Sequence, residues 1–315
     1  MSPRSSASTR VLVTGATGTT GRAITASLAE LGFAVRGASP HAPSQPSQPS
    51  PANQPGQGDQ PSQPSQPSQP SQPSEHVVFD FRDPSNHDEV LRGVDRVYLL
   101  APGLAEGPEA RLLPFLERAL ALGLRRVVLL SSSAVAEGEP GLGALHRFVR
   151  ERAPEWAVLR PSWFMQNFVD RRHHLGAGIA REGAFVSCTG EGRVPLIDAA
   201  DIAAVATRAL ADETPHNTDH VITGPEALSY DDVAAVISTI AGRPVRHVHA
   251  APDEAVQMMT AAGIPPAYAA MLAELEGRIE RGEEARVTDV VFRVTGRAPR
   301  SFADFARANA ASWRA

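Results

Sequence analysis

Short apolar runs alternate with amphipathic helical patterns over the first half of the chain. The runs are rich in valine, leucine and phenylalanine, and each is a strand candidate: 10–14, 33–36, 76–81, 96–100, 125–130 and 156–159. Between them, helices are predicted from the first glycine-rich turn to about Leu31, near 84–92, over 108–122 and over 142–152. Strands that alternate with helices predict an α/β fold with a doubly wound parallel sheet.

A glycine-rich turn links the first strand to the first helix. Gly15, Gly18 and Gly21 follow the spacing GxxGxxG, which matches the dinucleotide-binding pattern GxGxxG loosely. Glycines here permit a tight turn, a close approach to a pyrophosphate and close packing of helix on strand, while the helix start offers free N–H groups to the anion. The alternative is an ordinary glycine-rich loop. The position between a strand and a helix favours a Rossmann-like nucleotide-binding turn.

Residues 40–74 interrupt the pattern. They are almost entirely Pro, Ser and Gln, with a repeated Pro-Ser-Gln triplet and no apolar periodicity. Such a segment cannot form a packed core, so we expect a disordered, partly polyproline II insertion in a surface loop. A partner that binds PxxP motifs is the alternative. Residues 1–9 are expected to be a disordered tail.

The pattern loosens after residue 160. Short strand candidates at 184–187, 220–223 and 245–249 are mixed with helix candidates at 200–210, 230–240, 253–262, 266–281 and 302–313. We therefore expect residues 1–160 to form an NAD(P)-binding Rossmann domain. Residues 161–315 are expected to form a smaller substrate-covering subdomain.

Composition narrows the possible functions. The 315-residue chain is 42% hydrophobic, enough for a sizeable core, and its net charge of −5 argues against a nucleic-acid partner. No apolar run is long enough to span a bilayer, and no secretory apolar region precedes the first strand, so we expect a cytoplasmic protein without membrane contact. Cys188 is the single cysteine and is expected to be a buried, inert thiol. The oligomeric state stays open.

The end of the second strand indicates which cofactor is bound. NAD-binding folds place an acid there for the ribose hydroxyls, but no Asp or Glu occurs between Leu31 and Asp59. Arg36 and Ser39 occupy that neighbourhood, and the forked donors of arginine suit a 2′-phosphate. The sequence therefore predicts NADP(H), with Arg36 at the phosphate. The alternative is that Arg36 is only a solvated charge.

Longer motifs carry a family resemblance. Residues 159–168 (LRPSWFMQNF) and 195–203 (PLIDAADIA), together with the glycine-rich turn and the serines at 131–133, resemble the NmrA-like atypical short-chain dehydrogenases. Residues 224–234 (GPEALSYDDVA) and 294–302 (VTGRAPRSF) are similar to the festuclavine and agroclavine dehydrogenases of ergot-alkaloid biosynthesis. The resemblance covers nearly the whole chain outside the Pro-Ser-Gln insertion.

The usual acid of short-chain dehydrogenases is absent. Those enzymes use Tyr-x-x-x-Lys, in which lysine lowers the tyrosine pKa for proton transfer to a carbonyl oxygen. This chain has tyrosine only at Tyr98, Tyr230 and Tyr268, and it has no lysine. Either it reduces no carbonyl, or its substrate needs little acid catalysis. The clavine dehydrogenase resemblance implies reduction of a cyclic iminium, which needs only positioning of hydride donor and acceptor. A quinone acceptor would likewise need little acid catalysis.

Several residues are candidates for the reacting end of the site. His146 lies about where the missing tyrosine is expected, as an acid or substrate hydrogen-bonder, or as an ordinary helix residue. Ser131 and Ser132 are expected either to contact the nicotinamide side of the cofactor or to shape the end of the strand. Ser132 is the second catalytic candidate, after His146. The substrate-pocket candidates, whose alternative role is core packing, are Trp163, Phe164 and Asn167.

The cofactor contacts are expected at the strand ends. The family resemblance implies that Asp80 and Phe81 face the adenine. The full set of predicted cofactor contacts is Gly15, Thr17, Gly18, Thr19, Thr20, Gly21, Arg36, Ser39, Asp80, Phe81, Ala101, Pro102 and Ser131.

No metal site is predicted. His173 and His174 are adjacent and point apart on a helix, while His247 and His249 share a strand face without an apparent third ligand. The sequence as a whole predicts an NADPH-dependent reductase that acts on an iminium or similarly activated small molecule in secondary metabolism. The alternatives are a non-catalytic NADP(H)-sensing regulator and an NADPH:quinone reductase.

Overall fold

The computed structural model describes residues 9–41, 75–102 and 107–313. The segments expected to be disordered, 1–9 and 40–74, lie outside these ranges except for Thr9, Pro40 and His41.

Strands and helices follow one another closely along the described chain. The strands are β1 Arg10–Thr14, β2 Ala34–Ser39, β3 Glu75–Val78, β4 Arg96–Leu100, β5 Arg126–Leu130, β6 Glu155–Pro161, β7 Ala184–Ser187, β8 Arg193–Val194, β9 Thr218–Ile222, β10 Leu228–Ser229 and β11 Arg246–His249. The helices are α1 Thr19–Glu30, α2 His87–Leu91, α3 Glu109–Ala121, α4 Leu142–Arg152, α5 His174–Glu182, α6 Ala199–Ala211, α7 Tyr230–Ala241, α8 Pro252–Ala261, α9 Pro266–Glu280, α10 Val290–Thr295 and α11 Phe302–Ala308.

A seven-stranded parallel sheet organises the molecule. Its order is β3-β2-β1-β4-β5-β6-β9, and every neighbouring pair is parallel. The predicted doubly wound Rossmann-like sheet is therefore confirmed. The strand order reverses between β1 and β4, and ligands bind such sheets in the crevice at that reversal, beyond the carboxyl ends of the strands.

Both faces of the sheet are covered, which explains why its strands read as continuous apolar runs. Val11 and Val13 of β1 are fully buried in one core cluster with Ile24 and Leu28 of α1. Leu12, between them, points to the opposite face and belongs to a second cluster with residues of α3. Successive side chains of β1 point to opposite faces of the sheet and therefore belong to two different core clusters.

The boundary expected at residue 160 does not separate two units. Strand β9 extends the main sheet by pairing with β6, and helix α6 packs against α1. Ile202 and Val205 of α6 belong to the same core cluster as Val11. The apolar face of α6 is buried by packing against the sheet. The chain after residue 160 therefore completes a helical layer of the Rossmann-like fold.

The remaining C-terminal elements form a lobe with its own core. Parallel β7 and β11 and antiparallel β8 and β10 make two small sheets. Their core includes Met165, Phe168 and Phe185, and Trp313 donates its indole N–H to the carbonyl oxygen of Phe168 at 2.8 Å. None of the helices in the described ranges combines the length and apolar character that crossing a bilayer requires.

Candidate nucleotide-binding cleft

A cleft of about 500 Å³ opens at the carboxyl ends of β1, β2 and β4, where the strand order reverses. It is lined by Thr14, Gly15, Ala38, Ser39, Pro40, Phe79, Asp80, Phe81, Arg82, Leu100, Ala101, Pro102 and Arg111. The cleft therefore brings together Gly15 and the predicted contacts at the ends of β2 and β4 and after β3.

The glycine-rich turn is packed too tightly for side chains. Gly15 has φ +66°, and a Cβ atom there would lie 2.5 Å from Cδ2 of Leu100. A Cβ on Gly21 would lie 2.2 Å from the carbonyl oxygen of Gly15, while the N–H of Gly18 donates to that same oxygen at 2.8 Å. The glycines therefore hold the start of α1 directly against the end of β1.

The start of α1 is open to an anion. The helix is 12 residues long, begins after Gly18 without a side-chain cap, and has no acidic residue in its first turn. Its positive dipole end and free N–H groups suit a pyrophosphate. Thr17 and Thr19 are exposed beside it, whereas Thr20 is buried, with its hydroxyl 3.1 Å from Oη of Tyr98.

Thr14 fixes the strand ends that form the floor of the cleft, a role that the sequence reasoning missed. Its hydroxyl donates to the carbonyl oxygen of Tyr98 at 3.0 Å and accepts the N–H of Leu100 at 2.8 Å. Both contacts join β1 to β4. A threonine directly before the first glycine of the turn is the sequence signal for it.

Two arginines line the cleft beside Asp80. Arg82 binds both carboxylate oxygens of Asp80, with distances from 2.6 to 3.0 Å, and these hydrogen bonds lower the pKa of Asp80 to about 2. Arg111 is exposed and makes no side-chain hydrogen bond or ion pair within the described residues. Neither arginine was predicted from the sequence: Arg82 directly follows the predicted contact Phe81, and Arg111 lies on α3, far from β2 along the chain.

The structure corrects the prediction for Arg36. Its side chain is buried, pairs with Glu75 at 2.9 Å and donates to the carbonyl oxygens of Glu89 and Val90 near the end of α2. Arg36 does not line the cleft, because its position on β2 aims the side chain at α2. Ser39, at the end of the same strand, does line the cleft, with its hydroxyl 2.9 Å from Nε2 of His76.

The end of β5 offers a free hydroxyl group. Ser131 is 7% exposed, and its Oγ has no hydrogen-bond partner in the described part of the chain. Ser132 instead accepts the N–H of Ala134 at 3.3 Å and so shapes the turn. A buried, unpartnered hydroxyl, an uncapped helix start and a side-chain-free turn together fit a dinucleotide.

Trp163, Phe164 and Asn167 follow β6 at the same edge of the sheet. Phe164 forms an isolated parallel bridge with Ile197, and its ring packs against the sheet core, while Trp163 packs against the C-terminal lobe. All three predicted pocket residues are half-buried. Their position between the main sheet and the C-terminal lobe is compatible with lining a substrate pocket and with packing in the core.

His146 is buried and does not line the cleft at the ends of β1, β2 and β4. It is 3% exposed on α4, with its Nε2 4.0 Å from Glu137 and its ring 6.3 Å from that of Trp156. Burial lowers the pKa of His146, which further disfavours the protonated form that an acid needs. The prediction that His146 donates a proton to substrate is therefore corrected: helix α4 turns this face inward.

None of the three tyrosines has the lowered pKa of a catalytic tyrosine. Tyr98 and Tyr230 are fully buried, and burial raises both pKa values. Tyr268, on α9, is half-buried and its pKa is also raised by burial. Together with the absence of lysine, this geometry leaves the site without the tyrosine–lysine pair.

Comparison with known proteins agrees with this geometry. Residues 11–142 match the NAD dependent epimerase/dehydratase family. An uncharacterized oxidoreductase, YesF of Bacillus subtilis, is 43% identical over 96% of each chain. Agroclavine dehydrogenase of Claviceps fusiformis is 37% identical over 76% of this chain and 84% of its own. The NADPH complex of the quinone oxidoreductase QOR2 from Escherichia coli has the same fold, with a TM-score of 0.74, 16% identity and coverage of 94% and 98%.

Fold and cleft thus define an NAD(P)-dependent oxidoreductase. The chain belongs to the family of oxidoreductases that includes the agroclavine and festuclavine dehydrogenases, and the resemblance to these enzymes predicted from the sequence is confirmed.

Proposed function

We propose that this protein is an NADPH-dependent reductase whose acceptor takes up hydride without needing a proton from the enzyme, and that this acceptor is an iminium of alkaloid type. The observation that carries the proposal is the absence of the tyrosine–lysine pair that serves as the acid in short-chain dehydrogenases. The three tyrosines are buried or half-buried with raised pKa values, no lysine is present, and His146 is buried on α4 with a pKa that burial lowers.

The acceptor's charge explains why no acid is needed. Reduction of a C=N⁺ group forms one C–H bond and leaves a neutral amine, so the product needs no proton. Reduction of an aldehyde leaves an alkoxide, which must be protonated as it forms. NADPH supplies the hydride when bound. The protein then contributes mainly orientation and exclusion of water.

The residues at the reacting end of the site are suited to holding the cofactor and the acceptor in place. The free hydroxyl of Ser131 is available to hold the nicotinamide side of the cofactor. The half-buried rings of Trp163 and Phe164 are suited to flank a cationic acceptor, because aromatic faces attract cations. Asn167 supplies a polar group beside them.

Two features favour NADPH over NADH. The end of β2 carries Ser39 and Pro40, so no acid is present there to bind ribose hydroxyls or repel a 2′-phosphate. Arg82 and Arg111 line the same end of the cleft; Asp80 offsets the charge of Arg82, so Arg111 supplies the positive charge for a 2′-phosphate. The NADPH complex of the E. coli quinone oxidoreductase, which shares the fold, is compatible with this choice.

The test is NADPH oxidation by the purified full chain with a cyclic iminium, a quinone and an aldehyde. We expect turnover of the iminium and none of the aldehyde. Ser131→Ala should lower turnover, whereas Ser133→Ala, whose hydroxyl instead binds Glu284 at 2.7 Å, is the matched control. Aldehyde turnover at a similar rate would overturn the proposal, because it requires a proton donor.

A quinone is the second candidate acceptor, because it too accepts hydride readily and because the E. coli neighbour is named as a quinone oxidoreductase. Turnover of the quinone alone would favour it over an iminium. Tight NADPH binding without oxidation across the panel would instead favour a redox sensor.

A further inference from the structure

Three potential metal ligands converge between α7 and β11, away from the nucleotide cleft. His247 and His249 lie two positions apart on β11 and therefore share one face of that strand. Asp231, in the first turn of α7, faces them: its Oδ1 lies 3.2 Å from Nδ1 of His247 and its Oδ2 lies 3.1 Å from Nε2 of His249.

The donor atoms have the spacing of a coordination shell. One ligand atom from each of the three residues lies within 4.8 Å of both others. Ligands at the usual Zn–N and Zn–O distances around a tetrahedral Zn²⁺ are about 3.3 Å apart, close to the distances from the two imidazoles to the two oxygens of Asp231. Two imidazoles and a carboxylate are a recurrent ligand set for such an ion.

The buried histidine is held by an outer shell. Nε2 of His247 lies 2.7 Å from Oγ of Ser187, and the Phe185 ring stacks on the imidazole with centroids 5.3 Å apart. Ser187 is itself buried and its hydroxyl lies 2.9 Å from that of Thr189. When Nε2–H donates to Ser187, Nδ1 presents a lone pair toward Asp231. In this tautomer a cation between Nδ1 and the carboxylate satisfies both groups, whereas in the other tautomer Nδ1–H donates to Asp231 directly.

A second histidine–aspartate group shows a different arrangement. Nδ1 of His216 contacts Nε2 of His220 at 2.9 Å, while its Nε2 contacts Asp212 at 3.1 Å. The two nitrogens of one ring face different partners, so these groups form a chain and not a shell. The convergence at Asp231 is therefore not a general consequence of having histidines near acids.

We propose that Asp231, His247 and His249 bind a divalent transition-metal ion, best matched by Zn²⁺, that fastens α7 to β11. Asp231 and His249 are about half exposed, at 53% and 47%, so the fourth coordination position faces solvent and takes water. The ion would join residues 16 and 18 positions apart. It thereby stabilises the C-terminal lobe.

The experiment uses the full chain, purified without a polyhistidine tag and stripped with a chelator. Co²⁺ is titrated while its visible absorption is recorded, because tetrahedral Co²⁺ absorbs much more strongly than the aquo ion, and Zn²⁺ is then added in competition. Asp231→Asn and His249→Ala each remove a ligand at an exposed position. His216→Gln is the matched control.

We expect the wild type and His216→Gln to bind one equivalent of metal and to melt at a higher temperature with Zn²⁺. Each ligand variant should bind at least about 100-fold more weakly, since loss of even an outer-shell partner costs 10–100-fold, and Zn²⁺ should not raise its melting temperature. Absence of saturable binding in the wild type, or wild-type affinity in both ligand variants, would overturn the proposal.

Discussion

A Cβ atom on Gly21 would lie 2.2 Å from the carbonyl oxygen of Gly15. This close approach fixes the distance between α1 and β1, and with it the position of the helix start that faces the cleft. The neighbour that the Cβ would meet is backbone, which cannot move without shifting the turn.

Gly21→Ala is therefore expected to destabilise the protein by about 1–3 kcal/mol and to weaken NADPH binding. Chemical denaturation and a fluorescence titration with NADPH measure the two effects. Gly277→Ala is the control, because there the Cβ meets only the flexible guanidinium of Arg281, at 3.2 Å. Equal effects of both substitutions would contradict this explanation.

A buried arginine ties the sheet to α6. Arg126 is 1% exposed, pairs with Glu155 at 2.8 Å and donates to the carbonyl oxygens of Leu210 and Asp212. Arg126→Ala should lower the free energy of unfolding by about 3–5 kcal/mol, because it leaves one carboxylate oxygen of Glu155 and several carbonyl groups without their partner. Denaturant unfolding measures the loss.

The neighbouring Arg125 provides the comparison. It binds the same carboxylate at 2.8 Å but its side chain is 55% exposed. Arg125→Ala should therefore cost no more than about 1 kcal/mol. A similar cost for the two arginines would show that burial is not the deciding factor.

Arg111 tests the proposed preference for NADPH. Arg111→Ala should weaken NADPH binding by about 10-fold or more and leave NADH binding unchanged, since a hydrogen bond to a charged group contributes about 1.5–3 kcal/mol. Titrations with both cofactors measure the change. Arg118→Ala on the same helix, where the arginine pairs with Asp88, should alter neither. An equal loss of affinity for NADH would show that Arg111 does not contact the 2′-phosphate.

His220 makes stability depend on pH. Its ring is buried, and burial, with His216 and Arg293, lowers its pKa from 6.5 to about 4. Between these values the unfolded chain binds a proton that the folded protein does not, so the free energy of unfolding falls as the pH decreases. The contribution is complete above pH 6.5 and lost by about pH 4.

His220→Gln should remove on the order of 3 kcal/mol from the acid limb of the wild type and leave the part due to His173, whose pKa burial lowers to about 3. Denaturant unfolding at several pH values between the two limits measures the slope. The exposed His41→Gln is the control and should retain it. An unchanged slope in His220→Gln would assign the acid sensitivity to other groups.

The amino-acid sequence by itself determined the layers and the general place of the cofactor. Apolar runs separated by helical periodicity predicted β1, β4 and α4 with their bounds and most other elements within a few residues. The glycine-rich turn predicted the nucleotide-binding end, because strand, turn and helix there are consecutive in the chain.

Tertiary structure decided everything that depends on which residues lie opposite one another. Arg36 turned out to face α2, and Arg111, from α3, came to line the cleft in its place. Asp231 became the third member of a group in which the sequence showed only His247 and His249. Periodicity reports the local conformation of a segment, whereas the direction and partner of a side chain depend on long-range strand pairing and helix packing.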